Sequence, residues 1–306
     1  MGLAPLISIL IPVYNRERYI EECVRSAIGQ TWPHLEVVVV DNQSADGTWA
    51  ICQSLARQDI RIRLFRNDVN LGPVHNWRRC LDAARGHLGV LLFSDDTLRP
   101  RFLEETAPFL ADPDIAFAFA AVNHGSRRER SRILYTWGGC DGTVSSQQYL
   151  RDAMYHNGAL PCSPGATVFR LADLWKNLAA EIPSPSMRGF AEHGAGPDLL
   201  LSLRTAAAYP AVAHVARPLA FFRDHAEAIS RGNRELLDSA YAQARIWFAT
   251  AQCDALFNRA FGGYWVQQMK KARRWLNPGE IETRFLGPGM KRPNYAAALW
   301  HGVARG

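Results

Sequence analysis

The first hundred residues alternate continuous apolar runs with amphipathic stretches, and this alternation limits the possible folds more than any other feature. Apolar runs such as LISILIPV (6–13) and LEVVVVD (35–41) are typical of strands buried on both faces. Between them, RERYIEECVRSAIGQ (16–30) places its apolar residues at helical spacing. Further strands are predicted over 62–67 and 87–94, and further helices over 48–58 and 74–85. This order predicts an α/β fold, in which helices flank a mainly parallel sheet.

The rest of the chain divides by pattern into two further parts. After residue 100, short strands and turn-rich loops surround a helix that begins near Pro197. From about Arg234 to Leu276 the chain is helical and rich in aromatic residues. We therefore expect a nucleotide-type half over 1–110, an irregular half over 111–232 and a helical C-terminal extension over 233–306.

Composition restricts the location and the partners. No apolar stretch approaches the ~18 residues that a membrane helix needs, and the longest is IAFAFAAV at 115–122. The six cysteines form no C-x-x-C pair, which favours reduced thiols in a cytoplasmic protein. The net charge is +6, but the clusters RRERSR (127–132) and KKARR (270–274) lie far apart and no nucleic-acid-binding motif joins them. We expect a surface that attracts anions, such as sugar diphosphates or anionic lipid, and no nucleic-acid partner.

Polar side chains follow the ends of the predicted strands. The strand over 6–13 leads into Tyr14 and Asn15, and the strand over 35–41 ends in Asp41. The carboxyl ends of parallel strands meet at one edge of a sheet, where ligands bind. An aromatic ring beside a carboxylate suits a nucleobase, because Tyr14 can stack and Asp41 can accept a base N–H. The structural alternative for Asp41 is a role in the loop alone, and for Asp46 we favour such a helix-capping role.

The predicted strand over 87–94 delivers two adjacent acids, Asp95 and Asp96, to the same edge. The glycine-rich loops that cradle phosphates, G-x-G-x-x-G and G-x-x-x-x-G-K-[ST], are both absent from the sequence. A phosphate without such a loop is commonly bound through a divalent metal held by one or two carboxylates. Asp95 and Asp96 therefore predict a metal–diphosphate site, whereas the structural alternative is that they cap a loop.

Three motifs occur in order: IPVYNRERYIEECVRSAIGQTWPHLEVVVVDNQSADGT, NLGPVHNWRRCLDAARG and FSDD. Together they resemble the family 2 glycosyltransferases of the GT-A fold, a Rossmann-like architecture, closely up to about residue 110. The resemblance implies a nucleotide-sugar donor, Mg²⁺ or Mn²⁺ at the acidic motif, and inversion at the anomeric carbon. The family often writes the acidic motif as D-S-D-D, so Phe93 stands here in place of the first acid.

The resemblance also implies roles for individual residues. The nucleotide-binding set is Pro12, Tyr14, Asn15, Asp41, Asn76, Ser94 and Asp95, and the metal set is Asp95 and Asp96. The segment PLAFFRDHAEAIS (218–230) resembles the one that meets the diphosphate, which implies Arg223 and His225. The general base is expected at the start of a helix, where Asp198 follows Pro197 and Glu192 lies a few residues upstream. A carboxylate at a helix start is also stabilised by the helix dipole alone, so its position does not by itself give Asp198 a catalytic role. Asp198 and Glu192 therefore both remain candidates.

The resulting hypothesis is a metal-dependent inverting transferase. It would move one sugar from a UDP- or dTDP-type donor to the hydroxyl of a glycan or lipid-linked acceptor, in cell-surface glycan or polysaccharide assembly. The alternative is a non-catalytic module that binds sugar nucleotides or glycans on the same scaffold. A nucleic-acid-binding role would rest on charge alone.

The C-terminal extension carries aromatic and basic residues in one predicted helical segment, 234–276. One interpretation is that the rings pack on the rest of the protein or in a homodimer. The other is a peripheral contact with the cytoplasmic face of a membrane, because tryptophans beside a basic cluster are typical of helices that lie on anionic lipid.

Overall fold

The computed structural model of the protein describes residues 4–137, 139–155, 159–182, 193–227 and 234–304. Within these ranges the chain forms a 10-stranded mixed sheet flanked by helices, followed by a helical C-terminal region. The predicted α/β class is confirmed. The sheet continues across the predicted division at residue 110, so that division separates stretches of sequence that share one sheet.

The first half consists of strand–helix units. In chain order these are β1 (Ile7–Val13), α1 (Ile20–Ile28), β2 (Leu35–Asp41), α2 (Thr48–Gln58), β3 (Ile62–Arg66), α3 (Pro73–Ala83) and β4 (Leu88–Leu91). The strands lie in the order β3-β2-β1-β4, and every pair is parallel. Every residue of β1 and β2 is buried, which explains their unbroken apolar runs. β4 ends earlier than predicted, so that Asp95 and Asp96 lie in a turn after the strand.

The chain between Thr97 and Arg223 adds further strands to this sheet, and most of their pairings are antiparallel. Its elements are β5 (Thr97–Leu98), α4 (Phe102–Thr106), β6 (Ile115–Gly125), β7 (Ser131–Leu134), β8 (Gly142–Ser145), α5 (Ser146–Ala153), β9 (Thr167–Arg170), α6 (Leu171–Asn177), α7 (Pro197–Ala206) and β10 (Ala211–Arg223). β9 joins the two halves, because it pairs antiparallel with both β4 and β6. β10 lies parallel to β6 and antiparallel to β5 and β8.

The C-terminal region contains α8 (Arg234–Thr250), α9 (Asp254–Ala272), α10 (Pro278–Phe285) and α11 (Tyr295–Val303). The predicted helical segment is thus two helices with a break between them. Most of its rings are buried, as the packing interpretation predicts: Phe248, Phe257, Phe261, Tyr264 and Trp265. No helix in the described part of the chain is both long enough and apolar enough to cross a membrane.

Candidate active site

The carboxyl ends of β1, β2 and β4 meet at one edge of the sheet, as the sequence predicts. The loop after β1 is fastened to the loop after β2 by two bonds of Asn15. Its backbone N–H donates to Ser44 Oγ at 2.9 Å, and its side-chain Oδ1 accepts from Ala45 N at 2.9 Å. Beside these loops lies a cleft of about 390 Å³, lined by Asn15, Arg16, Glu17, Arg18, Tyr19, Ala45, Asp46 and Glu227. Tyr14 is exposed and therefore available to stack on a ligand.

Asp95 meets two basic side chains from distant parts of the chain. His225 Nε2 lies 2.9 Å from Asp95 Oδ2, and Arg16 Nε lies 3.7 Å from the same oxygen. The short strand β5 makes this possible, because it follows the acids directly and pairs with the end of β10. Asp95 and His225 were predicted for the metal and the diphosphate respectively, and the structure brings them together.

Asp96 has a different environment from Asp95. It is buried, and its Oδ1 accepts a hydrogen bond from the backbone N–H of Arg223 at 2.9 Å. Burial first, and then the charge of Asp95, raise the pKa of Asp96 well above its ordinary value. The carboxyl group thereby supports the end of β10. A direct metal contact by Asp96 stays a prediction.

The side chain of Arg223 points back over the acidic turn. Its Nε donates to the backbone oxygen of Asp95 at 3.2 Å, and its guanidinium pairs with Glu22. The guanidinium also lies over the ring of Tyr19, 5.2 Å from the centroid. Arg223 is therefore held where it can bind an anion beside Asp95, because planar guanidinium groups match phosphate oxygens.

The chemistry of Asp95 and His225 fits a divalent metal. A carboxylate and an imidazole suit Mn²⁺, and a carboxylate also suits Mg²⁺. Among the described residues, the buried Nδ1 of His225 has no hydrogen-bond partner, and the ring packs against Tyr19 at 4.6 Å between centroids. No cluster of three or more His, Cys, Asp or Glu residues suited to a metal occurs in the described ranges. The protein would thus supply two ligands, and phosphate oxygens and water would complete the shell.

The predicted nucleobase contact, Asp41, is completely buried. Its Oδ2 lies 3.0 Å from Arg66 Nε, and its carboxylate also accepts from Ser44 N. The Arg66 guanidinium in turn covers the ring of Trp49 at 5.1 Å. A base N–H bonded to Asp41 would have to bind beside Arg66 or displace it. The contact stays a prediction.

Three other predicted nucleotide contacts lie below the surface. Pro12 is buried within β1, and Ser94 is buried in the turn after β4. Asn76 belongs to a buried amide network, in which its Nδ2 donates to Val40 O at 3.1 Å and its Oδ1 accepts from Asn67 Nδ2 at 2.9 Å. Asn76 therefore stabilises the loops after β2 and β3, and its contact with a nucleotide stays a prediction.

Asp198 lies at the start of α7 and is 5% exposed. Its Oδ1 accepts from the backbone N–H groups of Gly196 at 2.8 Å and Leu199 at 2.7 Å. Its Oδ2 accepts from the Tyr241 hydroxyl at 2.8 Å. Burial raises the pKa of Asp198 to about 7, although these hydrogen bonds act to lower it. A carboxyl group that titrates near neutral pH suits a general base. The rival candidate, Glu192, lies outside the described residues.

A stack of groups connects Asp198 with the acidic motif. The ring of Phe93 packs on Trp77 of α3, with 5.2 Å between centroids. Gly194, at φ 73°, lies so close to Trp77 that a Cβ there would be 2.6 Å from the ring. The Gly194 carbonyl then accepts from Asp198 N at 3.3 Å. The start of α7 is therefore fixed relative to the turn that carries Asp95.

Sequence reasoning missed two arginines at this site. Arg16 follows the predicted loop residue Asn15 directly, so its position was a usable signal. Arg128 belongs to the cluster RRERSR, which the sequence singles out only for its charge. It donates to Thr97 Oγ1 at 2.9 Å and pairs with Glu22. The pairing of β7 with β6 that presents it could not be inferred from composition.

Comparison with known proteins identifies the family. The model of the family described as Glycosyl transferase family 2 matches residues 8–178, more than half of the chain. The chain belongs to glycosyltransferase family 2. The resemblance noted in the three sequence motifs is thereby confirmed.

Individual relatives in this family match only part of the chain. The GalNAc(5)-diNAcBac-PP-undecaprenol beta-1,3-glucosyltransferase of Campylobacter jejuni is 35% identical over 95 residues, which cover 31% of this chain and 31% of that protein. The chain spans less than half the length of the curated relatives that it matches.

Solved structures support the fold. The structure of TarS 1–349 of S. aureus in complex with UDP matches with a TM-score of 0.63 at 18% sequence identity. The match covers 87% of this chain and 72% of the TarS chain. The mannosyltransferase PcManGT of Pyrobaculum calidifontis, in complex with GDP-Man and Mn²⁺, matches with a TM-score of 0.51 at 18% sequence identity. That match covers 81% of this chain and 63% of the PcManGT chain. At these identities the likeness shows a shared GT-A fold.

Proposed function

We propose that this chain is a metal-dependent inverting glycosyltransferase that moves one sugar from a UDP- or dTDP-type donor to an acceptor hydroxyl. The observation that carries the proposal is the meeting of Asp95, His225 and Arg16 at the carboxyl ends of the parallel strands. A carboxylate, an imidazole and a guanidinium at one point suit a metal-bound diphosphate. Family membership and the UDP complex of a protein with the same fold support this choice of donor.

The residues of the first half would bind the donor. Tyr14 would stack on the base, and Asp41 would accept a base N–H next to Arg66. Asp95 and His225 would hold Mg²⁺ or Mn²⁺, which when bound neutralises charge on the leaving diphosphate. Arg223 would bind the diphosphate directly, because its guanidinium already lies against the Asp95 turn.

Asp198 would take the proton of the acceptor hydroxyl. An inverting transfer needs a base on the side opposite the leaving group, and the stack through Trp77 fixes α7 relative to the donor edge. The raised pKa keeps the carboxylate basic enough to accept a proton near neutral pH. Glu192 remains a second candidate for the same role.

We further propose that the acceptor is a glycan or a lipid-linked glycan in cell-surface assembly. The name of the Campylobacter relative includes a PP-undecaprenol acceptor, which supports this class. The basic residue Arg128 lies beside the donor edge and is consistent with an acceptor that carries negative charge.

Calorimetry with UDP, with and without Mn²⁺, tests the donor site. We expect Mn²⁺ to strengthen UDP binding in the wild type, and we expect Asp95→Asn and His225→Gln to remove that dependence while remaining folded. Asp82→Asn, which alters an exposed acid of α3, is the matched control and should bind like the wild type. Metal-dependent UDP binding that persists in both site variants would contradict the assignment.

The second candidate is a non-catalytic module that binds sugar nucleotides or glycans. It is favoured by Phe93, which replaces the first acid of the motif, and by the low exposure of Asp198. Turnover separates the two functions. Slow donor hydrolysis that is lost in Asp198→Asn or Glu192→Gln supports the enzyme, whereas tight UDP binding without any turnover supports the module.

A further inference from the structure

One exposed surface of the C-terminal region takes no part in the donor site. It combines apolar side chains with cations, and we call it the aromatic–basic surface. Its members are Lys270, Arg273, Arg274, Trp275 and Tyr295. Trp275 is 61% exposed and Tyr295 41%. Large apolar side chains are rarely left in water as a group unless they serve an interaction.

The packing of α9 against α11 fixes the position of Tyr295. Asn294 N donates to Asn258 Oδ1 at 2.9 Å, and Gly302 lies against Gly262 and Val266. The two helices therefore run side by side in the same direction. In this arrangement Tyr295, at the start of α11, meets Trp265 of α9, which also contacts the ring of Trp275 just beyond the end of α9.

A buried ring holds two of the exposed rings in place. Trp265 contacts Trp275 at 5.2 Å and Tyr295 at 6.2 Å between centroids, and its Nε1 donates to Leu276 O at 2.9 Å. The exposed rings are thus supported from below by a fixed residue. They lose little conformational freedom when they meet a partner.

The charge around these rings is positive and only partly compensated. Residues 270–304 contain seven Lys and Arg residues against two Glu and no Asp. Lys271 pairs with Asp238 at 2.6 Å. Lys270, Arg273 and Arg274 have no carboxylate partner within the described ranges. These three cations are therefore free to meet an external anion.

We propose that the aromatic–basic surface docks the protein onto an anionic lipid bilayer. The rings would enter the headgroup region, and the three unpaired cations would lie over the lipid charges. A second copy of the chain is a poorer occupant, because a symmetric dimer would place this positive patch against itself. The proposal concerns a surface apart from the donor site, so it does not depend on the proposed transfer reaction.

Sedimentation with vesicles tests the docking. We expect the full chain to bind vesicles of equimolar phosphatidylglycerol and phosphatidylcholine, and not pure phosphatidylcholine. The variant Lys270→Gln, Arg273→Gln, Arg274→Gln should lower the partition coefficient about 100-fold, at about fivefold per charge. The control variant Arg57→Gln, Arg79→Gln, Arg85→Gln has the same net charge but alters exposed arginines of the first half, and should bind like the wild type.

A second pair of variants tests the apolar contribution. Trp275→Ser with Tyr295→Ser should lower binding at least about tenfold, since burying an aromatic side chain is favourable. Trp175→Ser removes an exposed tryptophan of α6 and should have no effect. Circular dichroism and UDP binding confirm that each variant is folded. The proposal is overturned if the wild type ignores anionic vesicles, if both triple variants bind equally, or if light scattering shows a dimer that the Trp variant dissociates.

Discussion

The buried carboxyl group of Asp198 should make the protein less stable as the pH rises through the acidic range. Its pKa is about 7 in the folded state, against an ordinary value of 3.8. Between these two values the unfolded chain has lost the proton whereas the folded chain keeps it. The folded state therefore binds more protons, and the free energy of unfolding falls with rising pH until about pH 7.

The size of the effect follows from the pKa difference. About three pKa units correspond to up to about 4 kcal/mol. Asp198→Asn removes this contribution with little change of shape. Its amide oxygen can accept from Gly196 N and Leu199 N, and its amide nitrogen can donate to the Tyr241 hydroxyl oxygen. The variant should therefore gain stability relative to the wild type between about pH 4 and about pH 8.

Urea unfolding at a series of pH values measures this difference. Asp173→Asn is the control, because the carboxylate of Asp173 also accepts a hydrogen bond from a tyrosine hydroxyl, that of Tyr209 at 2.8 Å. In that variant the pH dependence caused by Asp198 should remain. A constant difference between the wild type and Asp198→Asn across the pH range would refute the buried, protonated state.

Two more outcomes follow from the same part of the structure. Donor hydrolysis should increase as the pH rises through about 7, since Asp198 must lose its proton to act as the base, and a pH–rate profile checks this. Gly194→Ala should destabilise the fold by about 1–3 kcal/mol more than Gly139→Ala in thermal unfolding. Both glycines have positive φ, but only a Cβ at Gly194 would clash with the α3 tryptophan. Equal losses would mean that backbone strain alone matters.

The sequence predicts the first half of the fold well because both faces of its strands are buried. The strand over 35–41 and the helix over 48–58 have the predicted bounds. The strands after β4 were harder to predict, since β5 has two residues and β9 four, and strands this short carry no clear period. Their pairing depends on partners that lie far away in the sequence.

In the candidate site, too, some contacts could be predicted from the sequence and others depend on the pairing of distant strands. The chain order of strand ends was enough to bring Tyr14, Asp41 and Asp95 to one edge. The contact between Asp41 and Arg66 could also have been anticipated, because both end neighbouring parallel strands and lie opposite each other in register. The contact of His225 with Asp95 could not have been anticipated from the sequence, because it depends on the antiparallel pairing of β5 with β10.

The two-residue strand β5 has a consequence for how the protein matures. Asp95 and His225 are 130 residues apart in sequence, and the pairs Thr97–Phe221 and Leu98–Ala220 hold them together. During synthesis the parallel half emerges from the ribosome long before β10 exists, so the acidic turn then has Arg16 beside it but lacks Arg223 and His225. Contacts of such long sequence separation form late in folding. A nascent chain or a fragment that ends before β10 should thus fold much of its sheet and still lack a working diphosphate cluster.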